Sequence, residues 1–225
     1  MGSLKGETMK RHTGQLVAVL CALVILGGCK STYYSAMEKI GYHKRDLLVD
    51  RVQDAREAQE QAKKQFESAL EQFTAVVSYQ GGELEKTYKR LKTEFERSEE
   101  KAKAVHKRIE DVQEVAKALF REWKAELDDY TNANLKSLSQ QRLEQTQERY
   151  TRLIEAMQRA EKRIDPVLTA FRDQVLFLKH NLNAQAIASL ENELVSVRTD
   201  VSTLLKAMEA SIAEANDFIK AMSQE

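Results

Sequence analysis

Apolar residues recur along the chain at spacings that alternate between three and four residues. They form four long runs, at residues 48–76, 84–123, 143–178 and 187–222. A repeat that averages 3.5 residues places one apolar seam along a helix that supercoils with its neighbours. The positions between the seam residues are mostly Glu, Lys, Arg and Gln. The pattern therefore predicts four long α-helices, each buried along a single face.

Three short segments, 78–82, 131–134 and 180–183, separate the four runs. The glycines at 81–82 suit a left-handed cap at the end of the first helix, and Asn183 suits the N-cap of the last. Links this short join antiparallel neighbours. We therefore predict an all-α fold, a long up-down-up-down antiparallel four-helix bundle of coiled-coil type. Helices of about 40 residues, at ~1.5 Å per residue, would be about 60 Å long.

One dipeptide, Asp165-Pro166, interrupts the third run. Proline inside a helix either kinks it or starts a new one. Because the apolar phase continues from Ile164 to Val167, we expect a kinked continuous helix here rather than two separate helices.

The N-terminal region has the pattern of a secretory signal. Lys10 and Arg11 precede an unbroken apolar run at residues 16–26, which is shorter than the ~20 residues that a spanning helix needs. Met9 would begin this signal as well as Met1 does. We predict a signal peptide at residues 1–28.

The signal ends in four residues that resemble a lipobox, the site at which bacterial prolipoproteins are acylated on cysteine and cleaved. These residues are Leu26, Gly27, Gly28 and Cys29. The resemblance implies a mature chain that begins at a lipidated, palmitate-bearing Cys29, with three acyl chains that make the anchor effectively permanent. An ordinary secretory peptide with an incidental cysteine is the alternative.

Residues 29–44 would then lie next to the membrane, and residues 45–225 would form a periplasmic bundle. The residue after Cys29 is Lys30, whereas enterobacterial lipoproteins that stay in the inner membrane carry Asp at this position. By resemblance to that sorting rule, we expect the outer membrane, with the periplasmic face of the inner membrane as the alternative. Lys39, Lys44 and Arg45 could contact anionic headgroups. The alternative for these three residues is a solvated linker that begins the first helix.

The net charge and the cysteine count of the chain argue against several classes of function. The chain has 225 residues, 42% hydrophobic and 31% charged, with a formal net charge of zero. Loss of residues 1–28 would remove three cations and one anion and leave a net charge of −2. Without a basic excess, nucleic-acid binding is disfavoured. A single cysteine beyond residue 28 excludes an internal disulfide and a cysteine zinc site.

No arrangement of residues predicts catalysis. Beyond residue 28 the glycines are Gly41, Gly81 and Gly82, too few for a phosphate-binding loop. The histidines lack the Glu-x-x-His spacing of di-metal sites in helical bundles. We expect a protein that is not an enzyme and binds no cofactor or metal.

The turns at 78–82 and 180–183 should meet at one end of the bundle and offer a recognition surface. The predicted contact residues are Tyr79, Gln80, Lys179, His180 and Asn181. The alternative is that they serve the turns alone. Four polar residues interrupt the seams: Gln59, Ser98, Thr146 and Ser211. They would set the register of the helices or, alternatively, line a polar ligand pocket.

Two segments resemble a bacterial lipoprotein family known as domain of unknown function 2959. The first comprises residues 33–41, Tyr-Tyr-Ser-Ala-Met-Glu-Lys-Ile-Gly, followed by residues 44–49, Lys-Arg-Asp-Leu-Leu-Val. The second is residues 171–184, beginning Phe-Arg-Asp-Gln-Val-Leu-Phe-Leu-Lys-His. The resemblance extends over essentially all of the chain beyond residue 28. It implies a protein of the Gram-negative envelope and supplies no activity, cofactor or site residue.

The sequence thus favours a lipid-anchored periplasmic helical rod that acts as an envelope scaffold, tether or adaptor. Its partner would be an envelope protein or the cell wall. The alternative is a binding module that holds a lipid or other apolar ligand within the bundle, because alanines leave the first seam loosely filled. The four seams can satisfy each other within one chain or between chains, so the oligomeric state stays open.

Overall fold

The four apolar runs form helices in the computed structural model, which describes residues 44–79 and 83–224. Five α-helices and one 3-10 turn make up this part of the chain, and it contains no strand. The elements are α1 (Lys44–Val77), α2 (Leu84–Glu126), the 3-10 turn (Leu127–Asp129), α3 (Ala133–Glu161), α4 (Ile164–His180) and α5 (Ala184–Ser223). The predicted all-α bundle is confirmed.

The bundle belongs to one compact unit, Leu47–Glu225. Of the preceding unit, Met1–Asp46, the structure describes the first three residues of α1. Across the described ranges, no helix combines the length and the apolar character that crossing a bilayer requires.

Polar contacts across the helix interfaces establish the direction of each helix. Between α1 and α2, Arg108 lies 3.6 Å from Asp54, and Lys101 donates a hydrogen bond to Gln61 at 2.8 Å. Residue numbers rise along α1 as they fall along α2, so the two helices are antiparallel.

The same relation holds between α1 and α5. Arg56 donates to Asn216 at 3.1 Å, and Lys63 Nζ lies 2.6 Å from Glu209 Oε1. Because α1 thus has both α2 and α5 as antiparallel neighbours, it contributes to two interfaces of the bundle.

Helices α3 and α4 pack against α5 and against α2. Arg172 of α4 forms an ion pair with Glu99 of α2 at 2.7 Å and lies over the Phe95 ring at 5.9 Å. Phe120 of α2 meets Tyr150 of α3 edge to face, with 5.4 Å between ring centroids. Helices α3 and α4 therefore follow one another along α2 and together occupy the place of the third predicted helix.

The core is built from the predicted seams. The buried residues of α1 are Leu47, Leu48, Val52, Ala55, Gln59, Ala62, Phe66, Ala69, Phe73, Val76 and Val77. Aromatic rings fill the interior where the seams meet: Phe73 and Phe171 pack edge to face with centroids 6.3 Å apart, and both are fully buried. Burial of these stripes supplies the main stabilising free energy of the bundle.

Asparagine side chains cap the N-termini of α3 and α5. Asn132 accepts hydrogen bonds from the backbone N–H groups of Asn134 and Leu135. Asn183 accepts one from the N–H of Ala186 at 2.9 Å, which confirms it as the N-cap of α5. The predicted glycine cap at 81–82 lies outside the described residues.

The expectation of a continuous third helix was wrong. Helix α3 ends at Glu161 and α4 begins at Ile164. Pro166 has no N–H for the carbonyl of Lys162, and its ring crowds that carbonyl, so the helical hydrogen bonding stops there. Lys162 and Arg163 nevertheless keep right-handed helical dihedrals. The apolar phase therefore survives the break, and Ala160, Ile164, Val167 and Phe171 are all buried.

A histidine from α2 lies across this break. His106 Nδ1 is 2.8 Å from Glu161 Oε1, at the end of α3, and His106 Nε2 is 3.8 Å from Asp165 Oδ1, in the first turn of α4. One side chain thus contacts both sides of the interruption and ties each of them to α2.

Two phenylalanines of α4 provide a matched test of the core. Phe171→Ala removes a fully buried ring and should lower the free energy of unfolding by about 3–5 kcal/mol. Phe177, on the same helix, is 39% exposed, so Phe177→Ala should change it by less than about 1 kcal/mol. Urea unfolding followed by circular dichroism measures both. Equal losses in the two variants would contradict the assignment of Phe171 to the core.

Candidate functional site

The helix directions define two ends of the bundle. The distal end holds the C-terminus of α1 and the turn between α4 and α5, at residues 181–183. The proximal end holds the connection between α2 and α3, at residues 127–132. Each end exposes large apolar side chains, and the distal end also contains most of the residues predicted to contact a partner.

At the distal end, three large apolar side chains are exposed on and next to α4. Leu176 is 52% exposed, Phe177 39% and Leu182 36%. Their neighbours Val175 and Leu178 are seam residues and are buried. With the exposed Lys179 and His180, these three residues form what we call the distal patch: Leu176, Phe177, Lys179, His180 and Leu182. It combines exposed apolar side chains with basic ones.

The predicted contact residues of this end take different roles. Asn181 donates a hydrogen bond from Nδ2 to the carbonyl of Phe177 at 3.0 Å, so it caps the end of α4. Tyr79 is half-buried, and its backbone N–H donates to the carbonyl of Val76 at 3.2 Å. Gln80 lies outside the described residues. The structure thus places Lys179 and His180 on an exposed surface, and it assigns Asn181 to the turn.

The predicted residues near the N-terminus fall mostly outside the described part of the chain. Lys44 and Arg45 are the first two residues of α1 and are half-buried. Lys39 and the four lipobox residues, Leu26, Gly27, Gly28 and Cys29, lie outside the described residues. The lipid anchor and the contact with a membrane surface therefore stay predictions.

Sequence reasoning missed Leu176, Phe177 and Leu182. The sequence contains a signal for Leu176 and Phe177, because these two apolar residues do not belong to the seam. That seam includes Phe171, Val175 and Leu178. An apolar pair on the face opposite a seam predicts two exposed apolar side chains. For Leu182, only the course of the turn decides whether the side chain is exposed.

A second exposed apolar cluster lies at the proximal end. Tyr130 is 40% exposed, Leu135 52% and Leu138 55%. They line a shallow groove together with Trp123 and Ser139, and Trp123 Nε1 donates to Ser139 Oγ at 2.9 Å. The tryptophan is thereby fixed between α2 and α3, whereas the leucines project outward.

A polar cluster joins α1 to α2 closer to the distal end. Glu94 accepts hydrogen bonds from Gln65 Nε2 at 2.7 Å, Ser68 Oγ at 3.0 Å and Arg97 Nη1 at 2.8 Å. Burial by itself raises the pKa of Glu94, but the three hydrogen bonds and the Arg97 charge together outweigh it, so the pKa is lowered. Glu94 therefore stays ionised and holds α1 and α2 together.

A groove beside Glu94 has a basic rim. Lys86, Lys89, Arg90 and Arg97 line it from α2, and Gln72 lines it from α1. Lys89 is paired with Glu85 at 2.7 Å, which raises the pKa of the lysine. Within residues 44–79 and 83–224, no three His, Cys, Asp or Glu side chains are grouped so that they could hold a metal ion.

The Glu94 cluster predicts acid sensitivity of a definite sign. A carboxyl group whose pKa is lowered in the folded state stabilises the fold above its unfolded pKa of about 4.3, and this contribution is lost as the pH falls through the folded value. Glu94→Gln should lower the free energy of unfolding at pH 7 by about 1–3 kcal/mol. It should also reduce the further loss of stability between about pH 7 and about pH 3.

The control is Glu96→Gln, because Glu96 is 56% exposed and its ion pair with Lys92 is long, at 3.5 Å. This variant should keep the stability of the wild type and its acid sensitivity. Urea unfolding at both pH values measures the effect. If Glu94→Gln loses as much stability on acidification as the control, the cluster does not act as described.

Comparisons with known proteins identify the family. The sequence profile of a family described as protein of unknown function (DUF2959) matches residues 33–222. No curated protein matches the chain. The match spans every helix of the bundle except the outermost residue of α5, and the chain belongs to this DUF2959 family.

Proposed function

We propose that the protein is a lipid-anchored scaffold, tether or adaptor of the bacterial envelope that binds a partner through its distal patch. The observation that carries the proposal is the exposure of Leu176 and Phe177 next to Lys179 and His180 at the end of a helical bundle. Exposed apolar residues grouped with basic ones are typical of contact sites for other macromolecules. The expected partner presents an apolar pocket bordered by acidic groups.

The arrangement of these residues on α4 supports this assignment. Leu176 and His180 are four residues apart, and Phe177 and His180 are three apart, so the three lie on one face of the helix. The hydrogen bond from Asn181 to the carbonyl of Phe177 holds the end of that helix in place. A rigid, preformed surface loses little conformational entropy on binding, which favours affinity.

The anchor belongs to the proposal through the sequence. The Leu-Gly-Gly-Cys pattern at residues 26–29 supports acylation at Cys29, and Lys30 supports transfer to the outer membrane. In this arrangement the membrane holds the start of the chain, and α1 leads from the proximal to the distal end. The anchor would hold the chain at the membrane while the distal patch binds the partner, which is the action of a tether.

The distal patch can be tested by photocrosslinking in living cells. A photoreactive residue at Phe177 or His180 should capture a single envelope partner, because these side chains are exposed within the patch. The same residue at Glu110, which is 66% exposed and lies in the middle of α2, should not capture it. Mass spectrometry identifies the product.

A pair of matched variants completes this test. Phe177→Ser should abolish capture by a photoreactive residue at His180, whereas Leu138→Ser, an exposed apolar position at the proximal end, should leave it unchanged. Capture that is equal at all positions, or absent at the distal patch, would overturn the proposed role. It would direct attention to the alternative of a ligand held within the bundle.

The anchor has its own test with a matched control. Cys29→Ala should abolish incorporation of labelled palmitate and move the protein from the membrane fraction to the soluble periplasmic fraction. Cys21→Ala changes a cysteine inside the predicted signal peptide and should alter neither result. Envelope function that is fully supported by the secreted Cys29→Ala protein would show that tethering is not its action.

A further inference from the structure

Two polar side chains in the core have no hydrogen-bond partner. Gln59 of α1 and Ser211 of α5 are both fully buried, at 0% exposure. Neither Oε1 nor Nε2 of Gln59 is bonded to a protein atom, and the same is true of Ser211 Oγ. Arg56 Nε is also buried without a hydrogen bond, but it lies 3.8 Å from Glu60 Oε1 and so has a charged neighbour. Buried polar groups in folded proteins are nearly always paired with protein or with ordered water, so the three atoms of Gln59 and Ser211 require a partner.

The register of the helices places these two residues at one level. Arg56 contacts Asn216, and Lys63 contacts Glu209. Gln59 lies between the two α1 residues of these contacts, and Ser211 lies between the two α5 residues. In antiparallel helices this arrangement brings the two positions to within about one helical turn of each other.

The other buried hydroxyl groups of the seams behave differently. Ser98 Oγ donates to the carbonyl of Glu94 at 2.8 Å, and Thr146 Oγ1 donates to the carbonyl of Arg142 at 2.8 Å. Each of these hydroxyls is satisfied within its own helix, four residues back. Ser211 does not make this bond, although the geometry of a helix offers it. Its hydroxyl is therefore available to a group inside the bundle.

Small residues flank the pair. Ala55 and Ala62 are the next seam residues of α1 on either side of Gln59, and Ala215 follows Ser211 on its seam; all three are buried. On α2, Ala102 lies next to Lys101, which contacts Gln61 at the same level. The methyl groups of these alanines fill less space than branched side chains would at the level of the three polar atoms, and a guest of the size of water needs such space.

We propose that Gln59 and Ser211 form an internal binding site for water between α1 and α5. Water is the ligand whose chemistry matches, because it can donate to Gln59 Oε1 and accept from Nε2 or from the Ser211 hydroxyl at the same time. The site takes a small neutral molecule with both donor and acceptor capacity, since none of the three atoms carries a charge. It is independent of the proposed function of the distal patch.

The hydrated pair also specifies how α1 and α5 align. A slip of one heptad would place Gln59 opposite the level of Leu204 or Phe218, both of which are buried apolar residues. The amide would then be buried without a partner and without water, which is unfavourable. A single polar layer of this kind selects one register among several that the apolar seams alone would permit.

A crystal structure of the wild-type chain beyond residue 28 tests the site directly. We expect electron density for water within about 3.2 Å of the Gln59 amide and of Ser211 Oγ. Density for a larger molecule, a direct bond between the two side chains, or a bond from Ser211 Oγ to the carbonyl of Ala207 with no water present would each overturn the proposal. This test does not depend on any variant folding.

Solution measurements with matched variants provide a second test. Magnetic relaxation dispersion counts long-lived internal waters, and Gln59→Leu should remove at least one of them. The control Ser98→Ala should leave the count unchanged, because that hydroxyl is satisfied by its own helix. An unchanged count in Gln59→Leu would contradict the proposal.

The folding equilibrium measures whether the two residues act together. Gln59→Leu and Ser211→Ala, made singly and in combination, should change the folding equilibrium constant non-additively, by a factor of about 3 or more. The pair Gln59→Leu and Ser98→Ala should combine additively. Additive behaviour of the first pair would show that no shared ligand couples Gln59 to Ser211.

Discussion

The apolar seam along each helix is the constraint on which the rest of this structure depends. A helix such as α2 is polar on most of its surface and has one stripe to bury, so its stability in water comes from packing rather than from intrinsic propensity. Each seam finds its complement in the other helices, and aromatic rings such as Phe73 and Phe171 fill the space where they meet. The short connections at residues 127–132 and 181–183 favour antiparallel packing of the helices that they join.

Because the seam carries most of the stabilising free energy, the fold tolerates interruptions that leave the seam in phase. Pro166 breaks the hydrogen bonding between α3 and α4, yet the apolar residues on both sides stay buried, and His106 contacts the carboxylates on either side of the break. The buried Gln59, in contrast to Pro166, changes the chemistry of the core itself. It costs stability unless it is hydrated, and for that reason it distinguishes one alignment of the helices from its neighbours.

The sides of the bundle are covered by charged residues, whereas its ends expose apolar ones. Along the sides, exposed ion pairs such as Lys89–Glu85 and Lys92–Glu96 keep the surface solvated and contribute little to stability. At the ends, the chain turns, backbone groups need caps, and apolar residues such as Phe177 and Leu138 project into solvent. Recognition by a helical bundle is therefore expected at its ends. Membership of the DUF2959 family agrees with the sequence resemblance and assigns no activity, so the proposed role rests on the chemistry of the distal patch.

The sequence by itself determined the all-helical fold, the buried face of each helix and the start of α5, but not the break between α3 and α4. These features are local: a 3.5-residue repeat selects the buried stripe, and a cap such as Asn183 acts within one turn. The tertiary structure decided the features that depend on a facing helix. Whether Leu176 is exposed, whether Asn181 caps α4 or contacts a partner, and whether the Gln59 amide finds a protein partner all depend on which atoms stand opposite. The same holds for Pro166, where the neighbouring helices keep a broken helix aligned as one. The local sequence pattern of one helix does not predict these contacts, because the contacting residues are distant in sequence and only packing brings them together.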